Sequence, residues 1–180
     1  MRIGVIGRGN VGSGLAGFWE RAGHEVRIST RDTVAETASF GEVVVLAVPD
    51  AACEDVLSAA GPLEGKVVVD ATNPLGGAAT CADVARLAPG ARVVKAFNTL
   101  FAQAYDQIPA AESPPSLVYC GDDVEAKETV AQLILDVGLE PVDAGGLEVA
   151  AQVEAFAQLV IGIAYRQGRG PFFYRFETPE

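Results

Sequence analysis

A glycine loop near the start of the chain is the first feature whose residue types and spacing could do chemistry. It reads Gly7-Arg8-Gly9-Asn10-Val11-Gly12 and follows the apolar run from Arg2 to Ile6. In a G-x-G-x-x-G loop between a strand and a helix, the first glycine permits a tight turn, the second admits a pyrophosphate and the third lets the helix pack closely on the strand. The N–H groups at the start of the helix add positive potential. The loop therefore predicts a dinucleotide-phosphate site at Gly7, Gly9 and Gly12.

The end of the second predicted strand indicates which dinucleotide binds. NAD-binding folds place an acidic side chain there, which hydrogen-bonds the ribose 2′-hydroxyl. This sequence has Ser29-Thr30-Arg31 instead. Hydroxyl and guanidinium groups can hold the oxygens of a 2′-phosphate through charge-assisted hydrogen bonds. Thr30 and Arg31 therefore favour NADP over NAD, although a small shift in register would place the carboxylate of Asp32 at the ribose.

Three later strand ends bring polar and proline residues to the carboxyl edge of the predicted sheet, where open α/β sheets bind their ligands. They read Ala47-Val48-Pro49-Asp50, Asp70-Ala71-Thr72-Asn73-Pro74-Leu75 and Lys95-Ala96-Phe97-Asn98-Thr99. Proline makes the first two loops rigid, so that they could support a flat nicotinamide ring, while simple strand termination explains Asn73-Pro74 equally well. The side chains of Asn98 and Thr99 could hydrogen-bond a carboxamide or an acceptor ring.

Few other residues suggest acid–base or nucleophilic catalysis. The one histidine, His24, lies in the turn before the second strand, at the edge opposite the ligand cleft, and is predicted to have a capping or surface role. The sequence has no Tyr-x-x-x-Lys pair, nucleophile elbow, His-Glu-x-x-His or Walker A lysine. Its cysteines, Cys53, Cys81 and Cys120, lie far apart and indicate neither a disulfide framework nor a zinc site. A cofactor site with so few ionisable groups suits direct hydride transfer to an electron sink.

The elements that must position these residues alternate between strand and helix along the chain. Apolar, β-rich runs predict strands at Arg2 to Ile6, Glu25 to Ser29, Val43 to Val48, Lys66 to Asp70, Arg92 to Ala96, Ser116 to Cys120 and, more weakly, Glu140 to Val142. Helical spacing predicts helices at Val11 to Ala22, Asp50 to Ala60, Ala79 to Leu87 and Val124 to Val137. This rhythm is typical of an α/β, Rossmann-like, doubly wound and mainly parallel sheet. Between Arg31 and Val43 only one short helix fits, so one β–α unit is predicted to be shortened.

The C-terminal part of the chain predicts a further apolar helix from Leu147 to about Gln167. One face of this helix carries Val153, Phe156, Ala157, Val160, Ile161 and Ala164. Its composition is apolar enough to bury more than one side, and a partner subunit that covered the remainder would make the protein a homodimer. We expect a single NADP-binding domain over 1–180, with the nucleotide-binding core at 1–145 and a helix and tail at 146–180 that close the cleft or form the dimer interface.

The charge of the chain restricts its partners. The formal net charge is -11 at pH 7. This argues against nucleic acid and anionic membranes as main partners, because neutralising phosphates requires clustered Lys and Arg. The longest uncharged stretch of the C-terminal half, Ala155 to Tyr165, is too short to cross a bilayer, and the N-terminus enters a strand rather than a signal peptide. We therefore expect a cytoplasmic protein that acts on a small-molecule redox acceptor.

A family resemblance covers nearly the whole chain, in order. It rests on the glycine loop, Gly23-His24-Glu25-Val26 with Thr30-Arg31, Leu46-Ala47-Val48-Pro49, the strand ends at 70–75 and 94–99, Cys120-Gly121-Asp122-Asp123 and Val142-Asp143-Ala144-Gly145. This succession resembles the NADPH-dependent coenzyme F420 reductases, also called F420H2:NADP oxidoreductases, and is similar to the cytosolic reductase domain of the STEAP metalloreductases. The resemblance implies hydride transfer between NADP(H) and a deazaflavin (coenzyme F420) or flavin-like acceptor.

The resemblance also implies roles for particular residues. Positions that bind NADP in the family correspond here to Gly7, Gly9, Asn10, Val11, Thr30 and Arg31. Those that cradle the nicotinamide correspond to Ala47, Val48, Pro49 and Asn73, and the loop beside the deazaflavin corresponds to Asn98, Thr99 and Ala102. Asn98 and Thr99 are the residues to which we assign catalysis. Two features depart from the family pattern. The segment after Arg31 is shorter than in the methanogen-type reductases, and Asn98 stands where they often have His. Both lie where the binding of the acceptor or of the adenine could differ.

Several alternatives follow from the same residues. The polyanionic tail of F420 requires a local basic patch on this acidic protein. Candidates for the patch, if 168–176 folds over the cleft, are Lys95, Arg166, Arg169 and Arg175. In the competing interpretation, these arginines pair with surface carboxylates. A related reductase of a small imine, enone or carbonyl would need a proton donor, for which only Tyr105, Tyr165 or water is available. A non-catalytic module that senses NADP(H) is the alternative outside enzymes.

Overall fold

The computed structural model describes residues 1–74 and 80–177, and a seven-stranded sheet forms its centre. The strands are β1 (Arg2–Ile6), β2 (Glu25–Ile28), β3 (Val43–Leu46), β4 (Val67–Asp70), β5 (Arg92–Lys95), β6 (Ser116–Gly121) and β7 (Glu140–Asp143). Their order in the sheet is β2-β1-β3-β4-β5-β6-β7. Because β1 pairs directly with both β2 and β3, β2 forms one edge of the sheet.

The sheet is mainly parallel, as predicted. All neighbouring strands pair in parallel except β5 and β6, which are antiparallel and share only the pairs at Val94 and Lys95. The central strands β3 and β4 consist almost entirely of buried valines, because helices cover both faces of the sheet. The resulting α/β fold is the Rossmann-like fold that the alternation of elements indicated.

In the described part of the chain, six α-helices connect and cover these strands. They are α1 (Asn10–Arg21), α2 (Val34–Phe40), α3 (Cys53–Ala60), α4 (Cys81–Leu87), α5 (Val124–Val137) and α6 (Ala150–Ile161). Helices α1 and α5 contact each other on one face, and α2, α3, α4 and α6 form a row on the other. The predicted helices agree with these to within a few residues. Ala79, the predicted first residue of α4, lies outside the described residues. Leu75, the last residue of the predicted strand-end motif 70–75, lies outside them too.

The shortened β–α unit is confirmed between β2 and β3. A 3-10 turn at Arg31–Thr33 leads directly into the seven-residue helix α2, and β3 then pairs with β1. No strand intervenes in this fully described segment. The chain therefore passes from the sheet edge back to its centre through one short helix.

Buried aromatic residues hold α1 and α5 to the sheet. Trp19 of α1 is fully buried, and its indole N–H donates to the backbone carbonyl of Leu133 in α5 at 3.0 Å. Its ring meets the Phe97 ring edge-on, with centroids 5.6 Å apart. Removing such a side chain costs about 3–5 kcal/mol of stability. The contacts of Trp19 therefore contribute strongly to holding α1 and α5 against the sheet.

The C-terminal helix is built in three parts, a 3-10 turn at Leu147–Val149, α6, and a π-helical turn at Gly162–Arg166. This stretch, Leu147–Arg166, is by length and composition able to cross a membrane, contrary to our expectation. That is weak support for a span, because the core helix of a soluble protein passes the same test. Val153 and Ala157 of α6 are buried against the rest of the fold.

A 3-10 helix after β5 and the position of the C-terminal tail beside β6 were not predicted from the sequence. A 3-10 helix at Ala102–Ala110 follows β5 and leads towards β6. Beyond α6, the chain returns to the sheet: the backbone N–H of Ser116 donates to the carbonyl of Tyr174 at 3.0 Å, and that of Phe176 donates to the Ser116 hydroxyl at 2.9 Å. This C-terminal segment, Phe172 to Phe176, lies beside the start of β6, which β5 leaves unpaired.

Candidate functional site

A cavity of about 470 Å³ opens at the carboxyl edge of β1, β3, β4 and β5. Ten of the fourteen residues predicted for the site line it: Gly9, Asn10, Val11, Ala47, Val48, Pro49, Asn73, Asn98, Thr99 and Ala102. Gly7, Gly12, Thr30 and Arg31 do not. The strand ends therefore converge on one site, as their position at a shared sheet edge predicts.

The glycine loop has the geometry that a pyrophosphate requires. Gly7 has φ +117°, and a Cβ there would collide with the carbonyl of Ala47, while a Cβ at Gly12 would collide with the carbonyl of Gly7. A Cβ at Gly9 would meet nothing within 4 Å, so this face of the loop is open. Gly9 is also the N-cap of α1 and provides no side-chain cap for its first N–H groups. Those groups are available to an anion.

Thr30 and Arg31 lie beside this loop, outside the cavity. The N–H of Ser29 donates to the carbonyl of Val5 at 2.9 Å, which fixes the end of β2 next to the end of β1. Thr30 caps the 3-10 turn, since its N–H donates to the Thr33 hydroxyl at 2.8 Å. Arg31 and Asp32 are both exposed in that turn, and neither forms an ion pair within residues 1–74 and 80–177.

Two asparagines join the ends of β4 and β5 across the cavity. The Asn73 amide nitrogen donates to the backbone carbonyl of Asn98 at 2.8 Å, and the Asn98 amide nitrogen donates to Asn73 Oδ1 at 3.1 Å. Asn98 is 5% exposed, and its Oδ1 has no hydrogen-bond partner among the described residues. A buried acceptor without a partner is costly and marks a place where a ligand can bind.

A strained backbone turn presents Asn98 and Thr99 to the cavity. Phe97 has φ 63°, which among the described residues is the one positive φ outside glycine. This conformation costs on the order of 1–3 kcal/mol and persists only where packing enforces it. The buried Phe97 ring against Trp19 provides that packing. The turn ends β5 and directs the chain along the cavity.

Lys95 does not belong to an exposed basic patch, and that prediction was wrong. Its side chain is fully buried, and its Nζ lies 2.9 Å from Asp70 Oδ2 and 3.1 Å from Glu154 Oε1, and donates to the Thr72 carbonyl at 2.7 Å. Desolvation opposes its charge, but the two carboxylates outweigh desolvation and hold the pKa of Lys95 above its ordinary value. Sequence reasoning placed Lys95 at the correct sheet edge but did not include Glu154, which reaches it from α6.

The ion cluster Asp70, Lys95 and Glu154 lies behind the cavity wall. Asp70 Oδ1 accepts hydrogen bonds from the N–H and hydroxyl of Thr72, at 2.9 and 2.7 Å, and Glu154 Oε1 accepts from the N–H of Cys81 at 2.8 Å. Thr72 lines the cavity. The cluster therefore ties α6 and the start of α4 to the strand ends that form the site.

The apolar wall of the cavity lies outside the set of predicted site residues. The wall consists of Leu100, Phe101, Ala157, Val160, Ile161 and Tyr165. Gln103 also lines the cavity, as do Asp50, Ala71 and Thr72 of the predicted strand-end motifs. The rings of Phe101 and Tyr165 meet edge-on with centroids 5.7 Å apart, which joins the loop after β5 to the C-terminal helix. The apolar face of that helix was the available signal, but it was interpreted as a cleft cover or dimer face.

Of the three arginines predicted for a basic patch, one forms ion pairs with carboxylates of the protein. Arg175 Nε lies 3.9 Å from Glu140 and its Nη1 lies 2.9 Å from Glu177, so this arginine pairs with carboxylates and not with a ligand. Arg169 lies over the Phe172 ring at 5.5 Å, and Arg166 is exposed. Two guanidinium groups therefore remain near Tyr165.

The histidine and the cysteines, which were predicted to take no part in catalysis or metal binding, do not line the cavity. His24 Nε2 is 2.8 Å from Asp136 Oδ2 of α5, a contact between elements on the face opposite α6. Cys53, Cys81 and Cys120 are buried and free, and burial raises the pKa of Cys53 and Cys120 to about 11. Within the described part of the chain no group of His, Cys, Asp and Glu could hold a metal ion.

Comparison with known proteins identifies the family. A family model described as coenzyme F420-dependent NADP oxidoreductase matches residues 29–74. The F420-dependent NADP reductase of Methanothermobacter marburgensis is 30% identical over an alignment of 207 positions that covers 91% of this chain and 92% of that protein. The chain belongs to the F420-dependent NADP reductase family.

Two other similarities agree with membership of the F420-dependent NADP reductase family. A solved structure from Arthrobacter sp. FB24, assigned as an F420-dependent NADP reductase, is 29% identical and superimposes with a TM-score of 0.88, covering 99% of this chain and 100% of that one. Rat metalloreductase STEAP3 is 31% identical over an alignment of 175 positions that covers 86% of this chain but 36% of STEAP3. The matched family segment contains Thr30, Arg31 and the predicted site residues Ala47, Val48, Pro49 and Asn73.

Proposed function

We propose that this chain is an NADP(H)-dependent oxidoreductase that transfers a hydride between the nicotinamide and coenzyme F420 or a flavin-like acceptor. The observation that carries the proposal is the cavity at the sheet edge, in a member of the F420-dependent NADP reductase family. The glycine loop forms one end of this cavity, and the Asn98-Thr99 turn with the apolar wall forms the other. One site thus offers a phosphate-binding loop and a surface for flat rings.

The residues of the loop fit a bound NADP(H). The open face at Gly9 leaves room for the pyrophosphate, and the uncapped N–H groups of Asn10 and Val11 can donate to its oxygens. Arg31 and Thr30 would hold the 2′-phosphate, because the exposed guanidinium has no competing carboxylate partner among the described residues. Gly7 and Gly12 keep the loop close to the sheet.

The remaining residues would hold and shield the rings. Ala47, Val48 and Pro49 form a rigid apolar support, with Asn73 beside it, and Ala102 contributes to the acceptor side. When bound, the nicotinamide and the acceptor ring supply the hydride chemistry themselves. The chain contributes orientation through Asn98 and Thr99 and excludes water through the wall formed by Phe101 and Val160.

A reductase of a small imine, enone or carbonyl is the second candidate function. Such a substrate needs a proton donor once the hydride has arrived. Of the two tyrosines considered for this role, Tyr165 lines the cavity. Tyr105 does not, and its buried hydroxyl has no hydrogen-bond partner among the described residues. Tyr165 is therefore the residue that this alternative requires.

We further propose a homodimer in the cytoplasm that binds neither nucleic acid nor membrane. The net charge of -11 supports the exclusion of polyanions. The exposed Leu159 of α6 supports a self-contact, and α6 closing the cavity supports the division of the domain at residue 145.

The experiment that tests the proposal mixes the purified protein with NADPH and a panel of F420, FMN, FAD, a ferric chelate, a cyclic imine and small carbonyls. Oxidation is followed by absorbance at the nicotinamide and deazaflavin bands. We expect NADPH to be consumed with F420 or a flavin. Turnover with the imine alone would favour the second candidate, and cofactor binding without turnover by any acceptor would indicate a sensor and contradict the proposal.

A further inference from the structure

The buried ion cluster behind the cavity wall contains more negative groups than positive ones. Lys95 Nζ is 2.9 Å from Asp70 Oδ2 and 3.1 Å from Glu154 Oε1. The side chains of Asp70 and Lys95 are fully buried, and that of Glu154 is 6% exposed. Two carboxylates therefore share one ammonium, and the cluster has a net negative charge if both carboxylates are ionised.

The hydrogen bonds of the cluster indicate that both carboxylates are ionised. Asp70 Oδ1 accepts from the N–H and from the hydroxyl of Thr72, and Glu154 Oε1 accepts from the N–H of Cys81 at 2.8 Å. A protonated carboxyl group would need an acceptor for its own proton. Within residues 1–74 and 80–177, the hydrogen-bond partners of these two carboxylates are all donors.

The titratable neighbours of the two carboxylates do not cancel this charge. Desolvation opposes the charge of Lys95, but the carboxylates outweigh it and raise the pKa of Lys95, so the lysine supplies one positive charge at neutral pH. Burial raises the pKa of Cys53 to about 11 and also raises the pKa of Cys81, so both thiols are neutral. Among the ion pairs of the described residues, no second cation reaches Asp70 or Glu154.

One residue separates the cluster from the cavity. Thr72 lines the cavity, while its hydroxyl lies 2.7 Å from Asp70 Oδ1 and its carbonyl oxygen lies 2.7 Å from Lys95 Nζ. The next residue, Asn73, belongs to the part of the wall proposed for the nicotinamide, and α6, which carries Glu154, forms part of the same cavity. Solvent screens a buried charge much less than an exposed one, so the field of the cluster extends into the cavity.

The oxidised and reduced forms of the cofactor differ by one hydride, and therefore by one positive charge on the nicotinamide ring. We propose that the ion cluster favours the cationic ring of NADP⁺ over the neutral ring of NADPH, and that Glu154 is the residue that makes the cluster negative. Without Glu154, Asp70 and Lys95 would form a neutral pair. The inference rests on the proposed function and deepens it, because a site that favours NADP⁺ makes bound NADPH a stronger hydride donor.

The test measures the dissociation constants of NADP⁺ and NADPH, without any acceptor, for the wild type and for Glu154→Gln. Both ligands carry the same phosphates, so the ratio of the two constants isolates the effect at the nicotinamide. Glutamine keeps the shape of the side chain and an oxygen that can accept from Cys81, but it removes the negative charge. We expect Glu154→Gln to raise the dissociation constant of NADP⁺ relative to that of NADPH by roughly 3- to 20-fold, the range for one charge acting through a protein wall.

Three further variants separate charge from packing. Glu154→Asp keeps the charge and shortens the side chain, so the ratio should stay within about 2-fold of the wild type even where stability falls. Asp70→Asn removes the other negative charge and should change the ratio in the same direction as Glu154→Gln, so the test does not depend on the folding of one variant. Glu128→Gln is the matched control on an exposed part of α5, on the face opposite α6, and should keep the wild-type ratio because solvent screens its charge.

The outcomes distinguish this inference from the proposed function. If Glu154→Gln and Asp70→Asn bind NADP⁺ and NADPH in the wild-type ratio, the inference is overturned and the proposed function stands. It is also overturned if Glu154→Asp changes the ratio as much as Glu154→Gln does, because packing and not charge would then be the cause. A wild type that binds neither NADP⁺ nor NADPH would instead contradict the proposed function.

Discussion

At the scale of single residues, Arg31 is the side chain that we propose distinguishes NADP from NAD. The guanidinium is exposed beside the glycine loop and has no carboxylate partner among the described residues, so its full charge is available to a 2′-phosphate. Hydrogen bonds to a charged group contribute about 1.5–3 kcal/mol. The neighbouring Asp32 is exposed in the same 3-10 turn, and a carboxylate there would suit the ribose of NAD instead. The proposed preference for NADP over NAD therefore depends on two adjacent side chains of opposite charge.

We therefore expect Arg31→Glu to weaken NADP⁺ binding by about 10- to 100-fold and to leave NAD⁺ binding nearly unchanged, because only the 2′-phosphate is repelled. Titration calorimetry with both cofactors measures the ratio. Arg27→Glu, the same charge reversal on strand β2, is the control for a general field effect and should shift both cofactors equally. An unaltered preference in Arg31→Glu would show that the 2′-phosphate lies elsewhere.

At the scale of elements, the cluster of Asp70, Lys95 and Glu154 joins β4, β5 and α6 behind the site. Two carboxylates and an ammonium are fully or almost fully buried there. Removing one partner of a buried ion pair costs about 3–5 kcal/mol, because it leaves an uncompensated charge. The surface pair Lys127–Asp143 has the same 2.9 Å separation but is partly exposed, and solvent screens it. The contribution of each ion pair to stability is therefore determined by its burial and not by its N–O distance.

Lys95→Met should accordingly lower the free energy of unfolding by about 3–5 kcal/mol, and Lys127→Met by much less, in urea titrations at neutral pH. The pH dependence has a definite sign. Since the folded pKa of Lys95 lies above its ordinary value of 10.5, its contribution is fully present at neutral pH and declines only as the pH rises through the raised pKa. The wild type should lose this extra stability in strong alkali, and Lys95→Met should not. Equal losses in the two variants at neutral pH would contradict a structural role for the cluster.

The elements themselves were largely predictable, and the reason is local. Valine-rich runs such as 43–46 and 67–70 end at polar or proline residues, so both the strands and the edge where they meet can be predicted without tertiary contacts. The antiparallel pairing of β6, the burial of Lys95 and the apolar wall depend on partners distant in the chain. Glu154 and Tyr174 reach Lys95 and Thr99 from beyond residue 145, and no local pattern indicates that they do.

At the scale of the whole molecule, α6 has to serve two surfaces. Val153, Ala157 and Val160 are buried on the inner side, where the latter two line the cavity, while Leu159 is 59% exposed on the outer side. A soluble protein gains by covering such an apolar surface, and a second copy is the cover that the proposed dimer provides. In a two-fold dimer the same residue of each copy takes part, so a single substitution acts on both sides of the contact.

We therefore expect Leu159→Glu to convert a dimer into a monomer, because it would bring two carboxylates into one apolar contact. Light scattering after gel filtration gives the mass directly. Leu135→Glu on α5, where the leucine is 53% exposed, is the matched control and should leave the mass unchanged. Because Leu159 does not line the cavity, NADP⁺ affinity should stay within about 2-fold of the wild type if each subunit has a complete site. A wild-type monomer, or a dimer that survives Leu159→Glu, would remove α6 from the subunit contact and leave its inner face as its one function.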